Sequence, residues 1–136
     1  MGTQGNGKGA EPRFVFDAGA LIGFERGSQM MSVILAEAEA FGDDIVIPAS
    51  ALAQVWRGGA KAARLAKLVD GFEVDALDEK RAKEVGRRLG ARGRKDVADA
   101  HVVCCAAEFD AAIVTSDLDD TKALIEPGED IELIRV

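Results

Sequence analysis

The chain of 136 residues carries 24 acidic and 17 basic side chains, which gives a formal net charge of −7 at pH 7. This length suits one domain, and an apolar content of 48% is enough to build a core, which excludes a disordered or fibrous protein. The acidic balance also argues against a broad basic face that grips nucleic acid.

The residue counts restrict the chemistry further. The chain has no Tyr and a single His, His101, which excludes a tyrosine nucleophile and a two-histidine acid–base mechanism within one chain. A Ser-His-Asp triad would have to use that histidine. The adjacent Cys104 and Cys105 fit disulfide geometry poorly, so we expect them to pack in a helix of a reduced, cytoplasmic protein.

The chain divides into two parts. We interpret the Gly-rich residues 1–12 as a flexible leader and residues 13–136 as one folded domain. The leader lacks the apolar segment of a signal peptide, and no stretch reaches the roughly 20 apolar residues that cross a bilayer, so we expect no membrane association.

Short apolar runs alternate with helical periodicity from residue 13 onward. Strands are predicted at residues 13–17, 45–47, 72–77, 111–114 and 131–136. Helices are predicted at residues 20–24, 31–41, 52–56, 65–69, 82–89 and 96–108, with a short one ending at 125. This alternation predicts βαβ units and a mainly parallel sheet with helices on both faces, and functional loops at the carboxyl ends of its strands.

Acidic residues gather where these elements begin or end. Three segments supply them: Asp17 after the first strand, Asp96 and Asp99 in the first turn of a helix, and Asp117, Asp119 and Asp120 after the fourth strand. If the first and fourth strands are neighbours, the three segments converge on one crevice. Crowded carboxylates then need a counter-charge, since their pKa values otherwise rise.

A metal ion is the natural counter-charge for such a cluster. Oxygen ligands select Mg²⁺ or Mn²⁺, and two such ions about 4 Å apart can activate a water and stabilise the leaving oxygen in phosphodiester cleavage. Alternative interpretations stay open: Asp96 and Asp99 also suit an N-cap and an acid facing the helix dipole, and residues 117–120 suit a solvated turn.

Four segments in this order and spacing carry a family resemblance. They are residues 16–22 (FDAGALI), 48–58 (PASALAQVWRG), 96–101 (DVADAH) and 114–120 (VTSDLDD). Over residues 14–136 the chain resembles the PIN domains, specifically the VapC-type toxin ribonucleases of bacterial toxin-antitoxin pairs. The resemblance implies a three-layer α/β/α sandwich with a mainly parallel central sheet, and a Mg²⁺- or Mn²⁺-dependent endoribonuclease acting on tRNA, rRNA or mRNA. It also implies inhibition by a cognate VapB-type antitoxin.

The resemblance assigns the catalytic and metal-binding roles to four acids: Asp17, Asp96, Asp99 and Asp117. Asp120 sits where many members carry another acid, and Thr115 or Ser116 would hydrogen-bond a carboxylate or a water.

Gln54 departs from the family pattern, because many members have Glu on the helix after the second strand. An amide brings no negative charge and holds a divalent cation more weakly. Glu25, at the end of the first helix, is a candidate substitute. Our hypothesis is one tightly held metal and a second recruited by RNA phosphate; the alternative is a catalytically impaired PIN-fold module that binds RNA or an antitoxin.

A further alternative is a doubly wound receiver domain with Asp75 or Asp78 as the phosphoacceptor, although no Lys follows the fifth strand.

His101 is predicted to form local hydrogen bonds. Trp56 is predicted to lie in the core or in a partner interface.

Surface residues provide two further predictions. Four cationic residues either steer RNA or are simply solvated: Arg57, Arg92, Arg94 and Lys95. Apolar helical positions suit a homodimer or a partner groove; they are Ile34, Leu35, Leu65 and Leu68.

Overall fold

The computed structural model describes residues 12–136, so the predicted leader lies outside the described residues except for Pro12, which begins the first strand. The strands are β1 (Pro12–Phe16), β2 (Asp44–Pro48), β3 (Glu73–Asp75), β4 (Ala112–Thr115) and β5 (Leu133–Arg135). The helices are α1 (Ala18–Glu25), α2 (Gln29–Phe41), α3 (Ala49–Val55), α4 (Ala63–Gly71), α5 (Glu79–Arg92), α6 (Val97–Phe109) and α7 (Leu118–Lys122), with a 3₁₀ turn at Ala60–Ala62.

The five strands form one parallel sheet in the order β3-β2-β1-β4-β5. The predicted α/β/α architecture with a parallel sheet is therefore confirmed. The order runs outward in both directions from β1 and β4, which makes their carboxyl ends the topological switch point where such sheets bind ligands. A receiver domain has the order 2-1-3-4-5 instead, so the receiver alternative is wrong.

Alternating side chains of the central strands divide the core between two helical layers. Phe14 and Phe16 face the layer of α1, α2 and α4, whereas Val15 faces α5 and α6. All three residues are buried, as expected for strands covered on both faces. The outer strands β3 and β5 are shorter than predicted because each pairs along one side only. Residue 77, predicted as strand, lies in the loop after β3.

The core includes most of the apolar positions that were expected to form an interaction surface. Ile34 of α2 and Leu65 and Leu68 of α4 are buried in the core, and Leu35 packs against the same cluster. The prediction that these four residues form a dimer or partner surface is therefore wrong. Periodicity identifies the apolar side of each helix, but it does not tell whether the sheet or a partner covers that side. The exposed apolar residues of α2 are instead Met30, Val33 and Phe41.

None of the helices between residues 12 and 136 combines the length and the apolar content that a bilayer crossing requires.

Candidate metal centre

Asp17 connects β1 to α1 at the switch point. Its backbone N–H donates to the Val114 carbonyl of β4 at 3.2 Å, and its Oδ1 accepts from the N–H of Ala20 at 2.8 Å, which caps α1. The residue is only 7% exposed. Burial raises the pKa of the Asp17 carboxyl, against the opposing effect of the Thr115 hydroxyl and the N–H groups of Ala20 and Gly19.

The start of α1 approaches the loop after β4 very closely at Gly19. A Cβ at this position would overlap Oγ of Ser116 and lie 2.9 Å from its Cβ, closer than real Cβ atoms pack. The absent side chain therefore lets the loop that carries Asp117 lie against the turn that carries Asp17. A signal for this role exists in the sequence, because glycine follows the strand-ending acid after one residue, but its partner Ser116 is evident only from the fold.

Asp96 and Asp99 open α6 beside this turn. Oδ1 of Asp96 accepts from the N–H of Asp99 at 2.8 Å and caps the helix. The pKa of Asp99 is raised to about 6, first by burial and then by the negative charges of Asp96, Asp17, Asp120 and Asp117. The three predicted acidic segments therefore lie close enough for their charges to act on Asp99, although among the described residues no three of these carboxylates bring oxygens within 4.8 Å of one another. The capping role of Asp96 coexists with its place in this group.

Asp117 completes the cluster from the loop after β4. Its N–H donates to Oγ1 of the buried Thr115 at 2.9 Å, and its Oδ1 accepts from the N–H of Asp120 at 3.1 Å, capping α7. The pKa of Asp120 is raised mainly by its contact with Asp117. Asp120 therefore lies beside Asp117 in the cluster. Thr115 stabilises the loop that carries Asp117.

The donor set fits a hard divalent cation. Among the side chains that the structure describes, no Lys or Arg forms an ion pair with the five carboxylates, which are Asp17, Asp96, Asp99, Asp117 and Asp120. Each helix cap uses one oxygen of its carboxylate, and the second oxygen retains the capacity to bind a metal. Neighbouring oxygen donors without a paired base suit Mg²⁺ or Mn²⁺, and burial or nearby negative charge raises the pKa of three of them: Asp17, Asp99 and Asp120.

Glu25 and Gln54 are the two residues considered at the position of the usual glutamate, and they lie in different places. Glu25 is the last residue of α1, and the rise of the helix puts it about 12 Å from Asp17 along the axis. This axial separation argues against a direct ligand role for Glu25, which stays a candidate for the site's periphery. Gln54 is exposed on α3 and lines a groove together with Asp96, next to the carboxylate cluster.

A second cluster of candidate ligand atoms is structural. Donor atoms of Asp75, His101 and Cys105 lie within 4.8 Å of one another. However, Arg81 Nε and Nη2 bind the two oxygens of Asp75 at 2.8 and 3.1 Å, and His101 Nε2 contacts Oδ2 at 2.7 Å. The guanidinium already supplies the positive charge that a metal would bring, so we place no ion there.

The same histidine connects Asp75 to α3. His101 Nδ1 lies 2.9 Å from Oγ of Ser50, which makes a chain of hydrogen bonds from Ser50 through His101 to Asp75. His101 is a hydrogen-bonding residue as predicted, but its partners are distant in the sequence, not local. Cys104 and Cys105 are buried and unpaired in α6, which confirms their packing role.

The basic residues separate into two groups. Arg94 and Lys95 line a depression together with Asp96, Asp99 and Asp120, beside the carboxylate cluster. Arg57 instead donates to the carbonyl of Trp56 at 2.8 Å, and Arg92 donates to that of Ala123 at 3.0 Å. Trp56 is 41% exposed, so a core position for this residue is wrong.

The fold and the site define an α/β/α domain with a parallel sheet and a carboxylate cluster at its switch point. The sequence model of the PIN domain matches residues 14–124, and the chain belongs to this family of nucleases. No curated protein matches the sequence significantly.

Solved structures with the same fold come from toxin-antitoxin complexes. VapBC2 from Rickettsia felis, bound to a DNA fragment from its promoter, is 15% identical with a TM-score of 0.69, over 90% of this chain and 98% of that one. DNA-bound VapBC from Salmonella typhimurium is 17% identical with a TM-score of 0.66 over the same shares, 90% and 98%. A toxin-antitoxin complex from Klebsiella pneumoniae is 17% identical with a TM-score of 0.64, over 85% and 98%.

Proposed function

We propose that this protein is a Mg²⁺- or Mn²⁺-dependent endoribonuclease that acts as the toxin of a toxin-antitoxin pair. The metal ligands and catalytic residues are Asp17, Asp96, Asp99 and Asp117. The observation that carries the proposal is the proximity of carboxylates from three chain segments at the switch point, where none of the described Lys or Arg side chains forms an ion pair with them.

The chain's own residues prepare the site for this chemistry. Helix caps orient Asp17, Asp96 and Asp117, and Asp99 stands half-buried among them. When bound, a divalent ion lowers the pKa of a ligated water and stabilises charge on the phosphate. Arg94 and Lys95 lie beside the carboxylates, where they contact neighbouring RNA phosphates.

The proposed partner is a VapB-type antitoxin. The described structural relatives are toxin-antitoxin complexes, and a basic antitoxin segment is complementary to the carboxylate cluster. We further propose a homodimer, and a cytoplasmic location on the basis of the two buried, unpaired cysteines.

A second candidate function follows from Gln54. The amide supplies no charge at the position where many PIN domains carry Glu, which favours a catalytically impaired module that binds RNA or the antitoxin. Saturating Mn²⁺ distinguishes the active ribonuclease from the impaired module. A site that binds metal weakly becomes active at high Mn²⁺ concentration, whereas a catalytically inactive site does not.

The test compares Asp17→Asn with Asp70→Asn in an RNA cleavage assay with antitoxin-free protein. Asparagine preserves the cap of α1 but removes the charge, so Asp17→Asn should fold and lose cleavage. Asp70 is exposed at the end of α4, before β3 and hence at the opposite edge of the sheet, and its variant should cleave normally. EDTA should abolish cleavage by the wild type. Full cleavage by Asp17→Asn contradicts the proposal, and a wild type that is inactive in saturating Mn²⁺ supports the impaired module.

A further inference from the structure

A groove runs between α3 and the start of α6, immediately beside the carboxylate cluster. It has a volume of about 510 Å³, within the range of about 300–1,000 Å³ that is usual for small-molecule sites. The residues that matter for its chemistry are Ser50, Ala53, Gln54, Leu77, Asp96 and Val97. The metal centre does not use this groove, apart from the shared Asp96.

The groove is largely apolar and exposes two large aliphatic side chains. Leu77 is 40% exposed and Val97 is 44% exposed, and both line it. The remaining apolar lining consists of small alanine side chains, Ala49, Ala53 and Ala98. Apolar walls with few polar groups are typical of sites that hold a ring system.

Two polar side chains of α3 line the same groove. Ser50 and Gln54 are four residues apart, so they share one face of the helix. Ser50 is held in place by the hydrogen-bond chain to His101 and Asp75, at 2.9 and 2.7 Å. Gln54 offers a donor and an acceptor side by side, the combination that pairs with the edge of a nucleobase.

Asp96 separates the groove from the basic depression. It lines the groove together with Gln54 and Val97, and it lines the depression together with Arg94 and Lys95. A nucleotide whose phosphate lies at the carboxylates therefore has apolar surface and an amide on one side and cationic side chains on the other. This arrangement matches the two parts of a nucleotide, a base and the next phosphate.

We propose that the groove is a specificity subsite for one unpaired nucleobase of RNA adjacent to the cleaved phosphate, with Gln54 hydrogen-bonding to its edge and Leu77 and Val97 packing on its faces. The inference rests on the proposed ribonuclease function and deepens it. It also gives a physical reason for an amide on α3, since a glutamate would accept hydrogen bonds only and would repel the phosphate chain.

The first test measures binding without catalysis. Methyl resonances of Leu77 and Val97 are followed by NMR in Ca²⁺, which binds oxygen ligands and offsets the carboxylate charge, while short oligo(A), oligo(C) or oligo(U) is added, with ribose 5-phosphate as the ligand that lacks a base. We expect both methyl groups to shift with at least one oligonucleotide and not with ribose 5-phosphate. Gln54→Ala should weaken that binding by roughly 10-fold, the range expected from losing a paired hydrogen bond to a base. Unshifted Leu77 and Val97 methyl groups, or equal shifts with ribose 5-phosphate, would overturn the inference.

The second test measures sequence preference in cleavage. RNA substrates with each of the four bases beside the cleaved bond are compared for wild type, Gln54→Ala and the control Gln29→Ala, which changes a glutamine on α2 outside the groove. Gln54→Ala should raise KM more than it lowers kcat and should flatten the base preference, whereas Gln29→Ala should retain it. Retained preference in Gln54→Ala contradicts the subsite but leaves the ribonuclease intact. Absence of cleavage by the wild type contradicts the proposed function, and the methyl shifts then still decide the subsite.

Discussion

Three acids of the cluster serve a helix and the site at once. Asp17, Asp96 and Asp117 each accept a backbone N–H through Oδ1 at distances of 2.8–3.1 Å. A cap restricts the rotamer of the side chain and occupies only one of its two oxygens. The local role of these residues is therefore the means by which they are preorganised for metal binding, and the two interpretations of the sequence do not compete.

Burial, and then the negative charge of the neighbouring acids, makes ionisation of Asp99 unfavourable. Its pKa is raised from 3.8 to about 6, so the folded chain holds a proton on Asp99 more tightly than the unfolded chain does. Above pH 6 its negative charge destabilises the metal-free fold, and this destabilisation disappears as the pH falls towards 4. Asp99→Asn removes the charge and should raise the Tm of the metal-free protein at pH 7 by roughly 2–5 °C.

Thermal unfolding of wild type and Asp99→Asn at pH 5 and pH 7, with and without Mg²⁺, checks this prediction. The difference between the two proteins isolates Asp99 from other groups such as His101, whose pKa is lowered by burial and which acts in the opposite direction. The difference in Tm should shrink at pH 5, and Mg²⁺ should stabilise the wild type more than the variant. Asp70→Asn provides the control. A lower Tm for Asp99→Asn in EDTA at pH 7 would contradict the electrostatic interpretation.

At the scale of elements, the site depends on how closely α1 approaches the loop after β4. Gly19 lies in α1, where alanine normally favours the helix by about 1 kcal/mol. Here the added Cβ meets Ser116, whose own Cβ is 2.9 Å away, and forced overpacking costs about 1–3 kcal/mol. We expect the cost of overpacking to exceed the gain in helix propensity. Gly19→Ala should therefore lower the free energy of unfolding and displace the loop that carries Asp117.

A double-mutant cycle with Ser116→Gly tests that contact. Once Ser116 has no side chain, the helix preference for alanine remains and Gly19→Ala should become neutral or stabilising in chemical denaturation. The change of sign between the two backgrounds is the diagnostic result. Equal effects of Gly19→Ala in both backgrounds would show that the close approach does not decide the packing at this edge.

At the scale of the whole molecule, the net charge of −7 is distributed unevenly. Five acids gather at the switch point, and only Arg94 and Lys95 line the depression beside them. Two phosphate contacts to single-stranded RNA predict a slope of log Kobs against log salt of about −1.4, since each contact contributes about −0.7. Arg94→Gln should reduce the slope to about −0.7.

Fluorescence anisotropy of labelled RNA in EDTA, titrated over a range of NaCl concentrations, measures this slope. Arg87→Gln is the control, because Arg87 lies on α5, outside the depression, and its guanidinium is paired with Glu126 at 2.8 Å. Its slope should equal that of the wild type. A slope of about −4 or steeper for the wild type would indicate a broad basic surface and would contradict recognition through a small region.

The amino-acid sequence by itself determined the parallel α/β fold and the strand-end positions of Asp17 and Asp117. Buried parallel strands read as apolar runs and helices as apolar stripes, and both signals are local. The positions of Asp17 and Asp117 near one another could be predicted from these strands, because parallel strands bring their carboxyl ends to one edge of the sheet.

Only the tertiary structure decided what depends on distant partners. Ser50, Asp75 and His101 come from three elements, so no local pattern connects them. Likewise, whether an apolar side chain of a helix is buried depends on how the helix packs on the sheet. Ile34 is buried in the core, whereas Val97 is exposed and lines the groove. Local periodicity specifies which side of an element is apolar; long-range packing decides what that side meets.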